Sequence, residues 1–173
     1  MLKKIWINYL IKKYDNNRAF ESSVDFKKSI KIAIIFSIRN NDNFQNIEEL
    51  ISELSLEGKE IRTLAYVKNK HKSTHNQPYP LFDSKDISFF GEIKSDRLDF
   101  FMNQSYDIVV CLDKNENYLV DYLLSQIKSK CRVGLTDATR NNCFEMIIKS
   151  DKEEAFNSQE ILKYLKMIQS NEH

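Results

Sequence analysis

Six of the seven residues from Ile32 to Ile38 are apolar. So continuous a run, bounded by polar residues, predicts a strand covered on both faces. The rhythm then changes in RNNDNFQNIEELISELSLEGKE. Phe44, Ile47, Leu50, Ile51 and Leu54 fall three and four apart, on one face of a helix, and Gly58 stands at its natural stop. IRTLAYV (61–67) reads as a second strand, ISFFG as a short third, SDRLDFFMNQ as a helix opened by Ser95, and YDIVVCL as a fourth strand. NENYLVDYLLSQIKSK follows as a helix with Tyr118, Leu119, Tyr122, Leu123 and Ile127 inward. CRVGLT is a fifth strand, CFEMIIK a sixth, and NSQEILKYLKMIQ a last helix capped by Asn157 or Ser158.

Apolar strands alternating with amphipathic helices predict a three-layer, doubly wound α/β fold. Its sheet is mainly parallel, has five or six strands and is Rossmann-like. The expected organisation is an N-terminal amphipathic helix and link over residues 1–22, then a single α/β domain over 23–173. In that first helix Leu2, Ile5, Trp6, Tyr9, Leu10 and Tyr14 recur at helical spacing, and Lys3, Lys4, Lys12 and Lys13 make its polar face basic. Packing on its own domain or on a second subunit is the preferred reading of the stripe. Docking of a protein partner, or contact with a membrane surface, is the functional one. Lys3, Lys4, Trp6, Lys12 and Lys13 would form that surface.

Composition adds mainly exclusions. The 173 residues carry 26 basic and 25 acidic side chains, so no long-range field favours nucleic acid. Three glycines and two prolines are too few for a turn-rich β sandwich or barrel. Cys111, Cys131 and Cys143 sit in apolar runs without C-x-x-C spacing and read as buried, reduced thiols. The apolar run IWINYLI is short, contains Asn8 and is closed by Lys12 and Lys13, unlike a signal peptide. A cytoplasmic protein is expected.

In open α/β sheets ligands bind beyond the carboxyl ends of the strands. That rule selects Ser37, Arg39, Asn40, Asn41 and Asp42 after the first strand, and Tyr66 and Lys68 after the second. Asp113, Lys114 and Asn115 follow the fourth, Thr136 and Asp137 the fifth. The candidate ligand rim is Arg39, Asn40, Asn41, Tyr66, Asp113, Lys114, Asn115 and Asp137. Asn115 reads as the cap of the following helix, with Glu116 in its first turn, which leaves Asp113 as the leading functional polar group.

The known phosphate-binding patterns are missing. Neither G-x-G-x-x-G nor G-x-x-x-x-G-K-[ST] occurs, so a backbone cradle for a pyrophosphate is not predicted. A phosphoacceptor receiver needs an acidic pair after its first strand, where this chain has SIRNN. His71 and His75, four apart in the polar KNKHKSTHNQPYP, lack a nearby acidic or cysteine partner for a metal and read as a surface loop. Without a G-x-S-x-G elbow no hydrolase triad is predicted either. No cofactor, no metal and no catalytic residue are assigned.

Through KKSIKIAIIFSI, LEGKEIRTLAYV, KDISFFGEIKS, YDIVVCLD, LLSQIKSKCRVGL and FEMIIK, the chain resembles a bacterial family of uncharacterised proteins, a domain of unknown function. The resemblance spans nearly the whole chain and implies a fold and lineage without an activity. YDIVVCLD, a helix and CRVGL also resemble, more distantly, the N-terminal half of heptosyltransferase-type glycosyltransferases. The chain departs from that pattern in lacking the glycine and acidic residue after the first strand. The preferred expectation is a non-enzymatic binding or interaction module. The alternative is a small-ligand-binding or glycosyltransferase-like enzyme domain using the strand ends.

Overall fold

The computed structural model describes residues 1–16, 24–38, 44–70, 78–135, 143–149 and 157–169. The elements in chain order are α1 (Leu2–Asn16), β1 (Lys31–Ser37), α2 (Gln45–Leu56), β2 (Glu60–Tyr66), β3 (Leu81–Phe82) and α3 (Asp96–Met102). After them come β4 (Ser105–Cys111), α4 (Tyr118–Gln126), β5 (Lys128–Leu135), β6 (Met146–Ile148) and α5 (Ser158–Lys166). The strands hydrogen-bond in the order β3-β2-β1-β4-β5-β6, and every neighbouring pair is parallel. This is the doubly wound, Rossmann-like arrangement expected, with strand order reversing between β1 and β4.

Period-two alternation in β1 and β4 feeds two separate cores. Ile32, Ile34 and Phe36 join Ile108 and Val110 on the face covered by Ile47, Leu50 and Leu54 of α2 and Ile161, Leu162 and Leu165 of α5. Ala33 and Ile35 join Val109 and Cys111 on the other, under Leu98, Phe101 and Met102 of α3, Leu119, Leu123 and Leu124 of α4, and Ile7 and Leu10 of α1. Covering both faces is what lets these strands be apolar throughout. Gly58 follows α2 at φ 76°, the left-handed conformation that ends a helix most cheaply with glycine.

Several expectations are corrected. The third strand is Leu81–Phe82, pairing with Ala65 and Tyr66, and not ISFFG; there Ile87 makes only an isolated antiparallel bridge to Ile93. The cap of α4 is Asn117, whose Oδ1 accepts from the Leu119 N–H at 3.1 Å; Asn115 and Glu116 precede the helix. The fifth strand begins at Lys128, three residues before CRVGLT, in register with Ser105. Ser95 stands at the N-cap of α3 without a side-chain capping bond, whereas Asn157 caps α5 through the Gln159 N–H. Cys111 and Cys131 are buried and Cys143 is half-buried, and the three form no disulfide.

Candidate functional site

At the carboxyl edge, the reversal point between β1 and β4 is closed by side chains. Asp113, just past β4, is 7% exposed. Its carboxylate accepts the Ser37 N–H at 2.7 Å and the Ser37 hydroxyl at 2.5 Å. The β1–β4 ladder ends at the Ile35–Cys111 pair and the Leu112 N–H to Ile35 carbonyl bond, so Asp113 serves as the acceptor for the next donor of β1. Asn117 adds a long amide contact to the Ser37 hydroxyl at 3.4 Å while capping α4. A carboxylate held this way acts as a clasp between strands, and sequence reasoning missed its second member, Asn117. The signal was available: the helical period starts at Tyr118, and a cap stands immediately before it.

Tyr66, at the end of β2, stacks edge-on against Phe82 with centroids 5.3 Å apart. Burial, with smaller contributions from Tyr118 and Asp83, pushes its phenol above the ordinary value, so it stays a hydroxyl at neutral pH. Lys114 is half-buried and Asn115 exposed on the same edge. The structure therefore brings Ser37, Asp113 and Asn117 together, with Tyr66 beside Phe82 and Tyr118. Arg39, Asn40, Asn41, Asp42, Thr136, Asp137, His71 and His75 lie outside the described residues. Among the described residues no group of three or more His, Cys, Asp or Glu is gathered that could hold a metal ion.

Two acidic side chains, Asp83, whose charge reaches Tyr66, and Asp86, organise the turn after β3. Asp83 accepts the N–H groups of Lys70 at 3.0 Å and Lys85 at 2.8 Å; Asp86 accepts the Asp83 N–H at 2.7 Å and pairs with the Lys70 ammonium at 2.6 Å. Burial acts to raise the Asp83 carboxyl, but those N–H groups and lysine charges hold it below the ordinary range. The turn is the seat of α1, since Lys3 Nζ donates to the carbonyls of Ser84 at 2.7 Å and Ile87 at 2.5 Å. At its far end α1 is tied through Asp15 to Arg132, 3.4 Å away. That buried guanidinium also pairs with Glu145 at 3.0 Å and donates to the Leu124 carbonyl.

This anchoring splits the stripe expected to face inward: Leu10 is buried as expected, while most of the stripe is turned outward. Ile7 and Leu10 point into the core and Lys3 is turned inward, whereas Leu2, Ile5, Trp6 and Tyr9 stand exposed. Of the residues expected to form a basic surface, Lys4, Lys12 and Lys13 are exposed, and Trp6 is 40% exposed. Trp6 leans on Tyr9 at 5.6 Å and meets Phe90 edge-on at 6.4 Å.

Phe89 and Phe90 crown a tight tip closed by the Ile87–Ile93 bridge and the Ser88 N–H to Glu92 carbonyl bond of 2.8 Å. The Ser88 hydroxyl accepts the Glu92 N–H. Gly91, at φ 91°, lets the tip approach α1 and α4: an added Cβ would lie 2.2 Å from Tyr122 Oη and 2.8 Å from Leu10 Cδ1. Tyr122 donates to the Gly91 carbonyl at 2.7 Å. The tip is thus fastened while its two phenylalanines face outward.

A parallel sheet in Rossmann order, with a clasped reversal point and a helix laid across one face, defines the class: a doubly wound α/β protein. The chain belongs to the family of unknown function DUF6913, which it matches over residues 3–168. Comparison with curated proteins returns no match. Among solved structures it is similar to the crystal structure of an exopolyphosphatase-related protein from Bacteroides fragilis, at a TM-score of 0.51 and 13% identity. The alignment covers 93% of this chain and 42% of that one, so the chain spans less than half the length of that protein and the likeness is one of fold. No helix among the described residues is long and apolar enough to cross a membrane.

Proposed function

We propose that this protein is a non-enzymatic interaction module whose binding face is the outer side of α1 together with the Phe89–Phe90 tip. The observation that carries this reading is the continuous exposure of Leu2 (72%), Ile5 (58%), Trp6 (40%), Tyr9 (58%) and Phe90 (68%) on elements whose opposite sides are locked into the core. Single exposed apolar residues are ordinary, but a contiguous aromatic group on a rigid support marks a contact surface. A small-ligand or glycosyltransferase-like enzyme site at the strand ends has less support, because the Asp113 carboxylate is engaged by Ser37.

The test compares the full chain with its Ile5→Ser/Phe90→Ser variant by sedimentation, alone and in cell extract. Both positions are exposed, so the fold should be retained. The unmodified chain should travel in a larger or membrane-associated species from which the variant is released. Identical profiles would refute the reading.

A further inference from the structure

Charge distinguishes among the occupants that could cover this face. Lys4, Lys12 and Lys13 are exposed on α1, while its acidic residue, Asp15, is drawn to Arg132. Glu92 is the acidic side chain at the tip. The apolar side chains therefore stand among predominantly positive charges. A second copy is a poor match. Lys12 and Lys13 lie at the far end of the same exposed face, so an antiparallel two-fold pairing of α1 would set them against the apolar Leu2 end of the other copy, and a parallel pairing would set like against like. The occupant called for is acidic.

Shape narrows it further. The apolar groups are carried on a helix ridge and on a loop tip. A folded partner would need a groove fitted to both at once, whereas a layer of lipid headgroups conforms to protruding side chains. Trp6 and Tyr9 have the mixed apolar and polar rings favoured at the membrane–water boundary, and Phe89 and Phe90 are apolar tips that reach the acyl chains. Lysines beside them would lie at the level of the lipid phosphates, their stems along apolar surface and their ammonium groups outward.

We propose that the outer face of α1 and the Phe89–Phe90 tip dock on an anionic lipid bilayer, lying on its surface without spanning it. The inference rests on the interaction-face reading and gives it an occupant.

Trp6 is the chain's single tryptophan and lies inside the patch, so its emission reports the contact directly. The full chain is mixed with phosphatidylcholine vesicles with and without phosphatidylglycerol, and co-sedimentation and Trp6 emission are read together. Binding, with a blue shift of Trp6, is expected on the anionic vesicles and not on the neutral ones. A lysine near such a surface is worth about fivefold in affinity, so Lys12→Glu/Lys13→Glu should weaken binding by roughly 20-fold or more. Ile5→Ser/Phe90→Ser should abolish the blue shift at unchanged circular dichroism.

Absence of vesicle binding overturns the lipid assignment, and so does equal binding to neutral vesicles. If the lipid response is absent but the Ile5→Ser/Phe90→Ser variant still releases the chain from a larger protein assembly in extract, the lipid assignment fails and the interaction face stands. If the extract profiles of chain and variant also coincide, both fail.

Discussion

Replacing Asp113 by alanine tests whether the reversal point is a clasp or a ligand site. The carboxylate, 7% exposed, accepts two donors from Ser37, at 2.7 and 2.5 Å. A hydrogen bond to a charged group contributes about 1.5–3 kcal/mol, and a donor left without its acceptor adds a desolvation cost. Ser37 is half-buried, so water recovers part of its loss. The net expectation is about 2–3 kcal/mol, hence a melting temperature lower by roughly 4–12 °C for a chain of this length. Asp113→Asn keeps one acceptor and should lose about half as much. Ser37→Ala removes only the hydroxyl and should lose about 1 kcal/mol. Because the two residues share one interaction, Ser37→Ala should add little in the Asp113→Ala background. Urea and thermal unfolding of the four variants beside the unmodified chain measure this. An Asp113→Ala protein melting with the unmodified chain, or fully additive losses, would refute the clasp and return Asp113 to the ligand rim.

Two further predictions concern the seat of α1 and the amino edge of the sheet. Gly91→Ala should lower the urea midpoint well beyond Gly58→Ala. Its Cβ would displace Tyr122 and Leu10, whereas Gly58 faces open space and incurs only backbone strain of about 1 kcal/mol. Equal shifts would show that the tip is not pressed on α1. Asp107 accepts the N–H groups of Ile30 and Lys31 at 2.8 and 3.0 Å and pairs with Lys130 at 2.6 Å. Burial acts to raise its carboxyl, but these partners outweigh it and hold the group below its ordinary value of 3.8. A depressed folded-state value means stability that is fully present above the unfolded value and lost as pH falls through the folded one. Acid unfolding below the ordinary value of 3.8 should therefore be shallower in Asp107→Asn. An unchanged acid limb would remove Asp107 from that account.

The layered fold was legible because both faces of the sheet are covered. A strand buried on both sides must be apolar at every position, and Ile32–Phe36 and Ile108–Leu112 announce this without reference to their neighbours. The two-residue β3 was not legible. Leu81 and Phe82 are too few to show a period, and they become a strand only because Ala65 and Tyr66 offer them a ladder. The same distinction separates the Asn117 cap, which the onset of periodicity at Tyr118 marks locally, from its contact with Ser37, 80 positions away.

The local pattern of this chain, read alone, settles that residues 2–14 are helical and that they carry apolar and basic side chains. It does not settle which side faces inward. Leu2, Ile5, Trp6, Tyr9, Leu10 and Tyr14 make one acceptable stripe, but Leu10 belongs equally to a second with Ile7 and Ile11, and helical spacing is satisfied by both. The choice is made at a distance. Lys3 reaches the carbonyls of Ser84 and Ile87, Asp15 reaches Arg132, and Gly91 lets the tip close on Leu10, so the smaller aliphatic stripe is buried. The aromatic stripe is thereby left outside, where the proposed function lies. Contacts between residues more than 75 positions apart decide this orientation, and no local pattern encodes them.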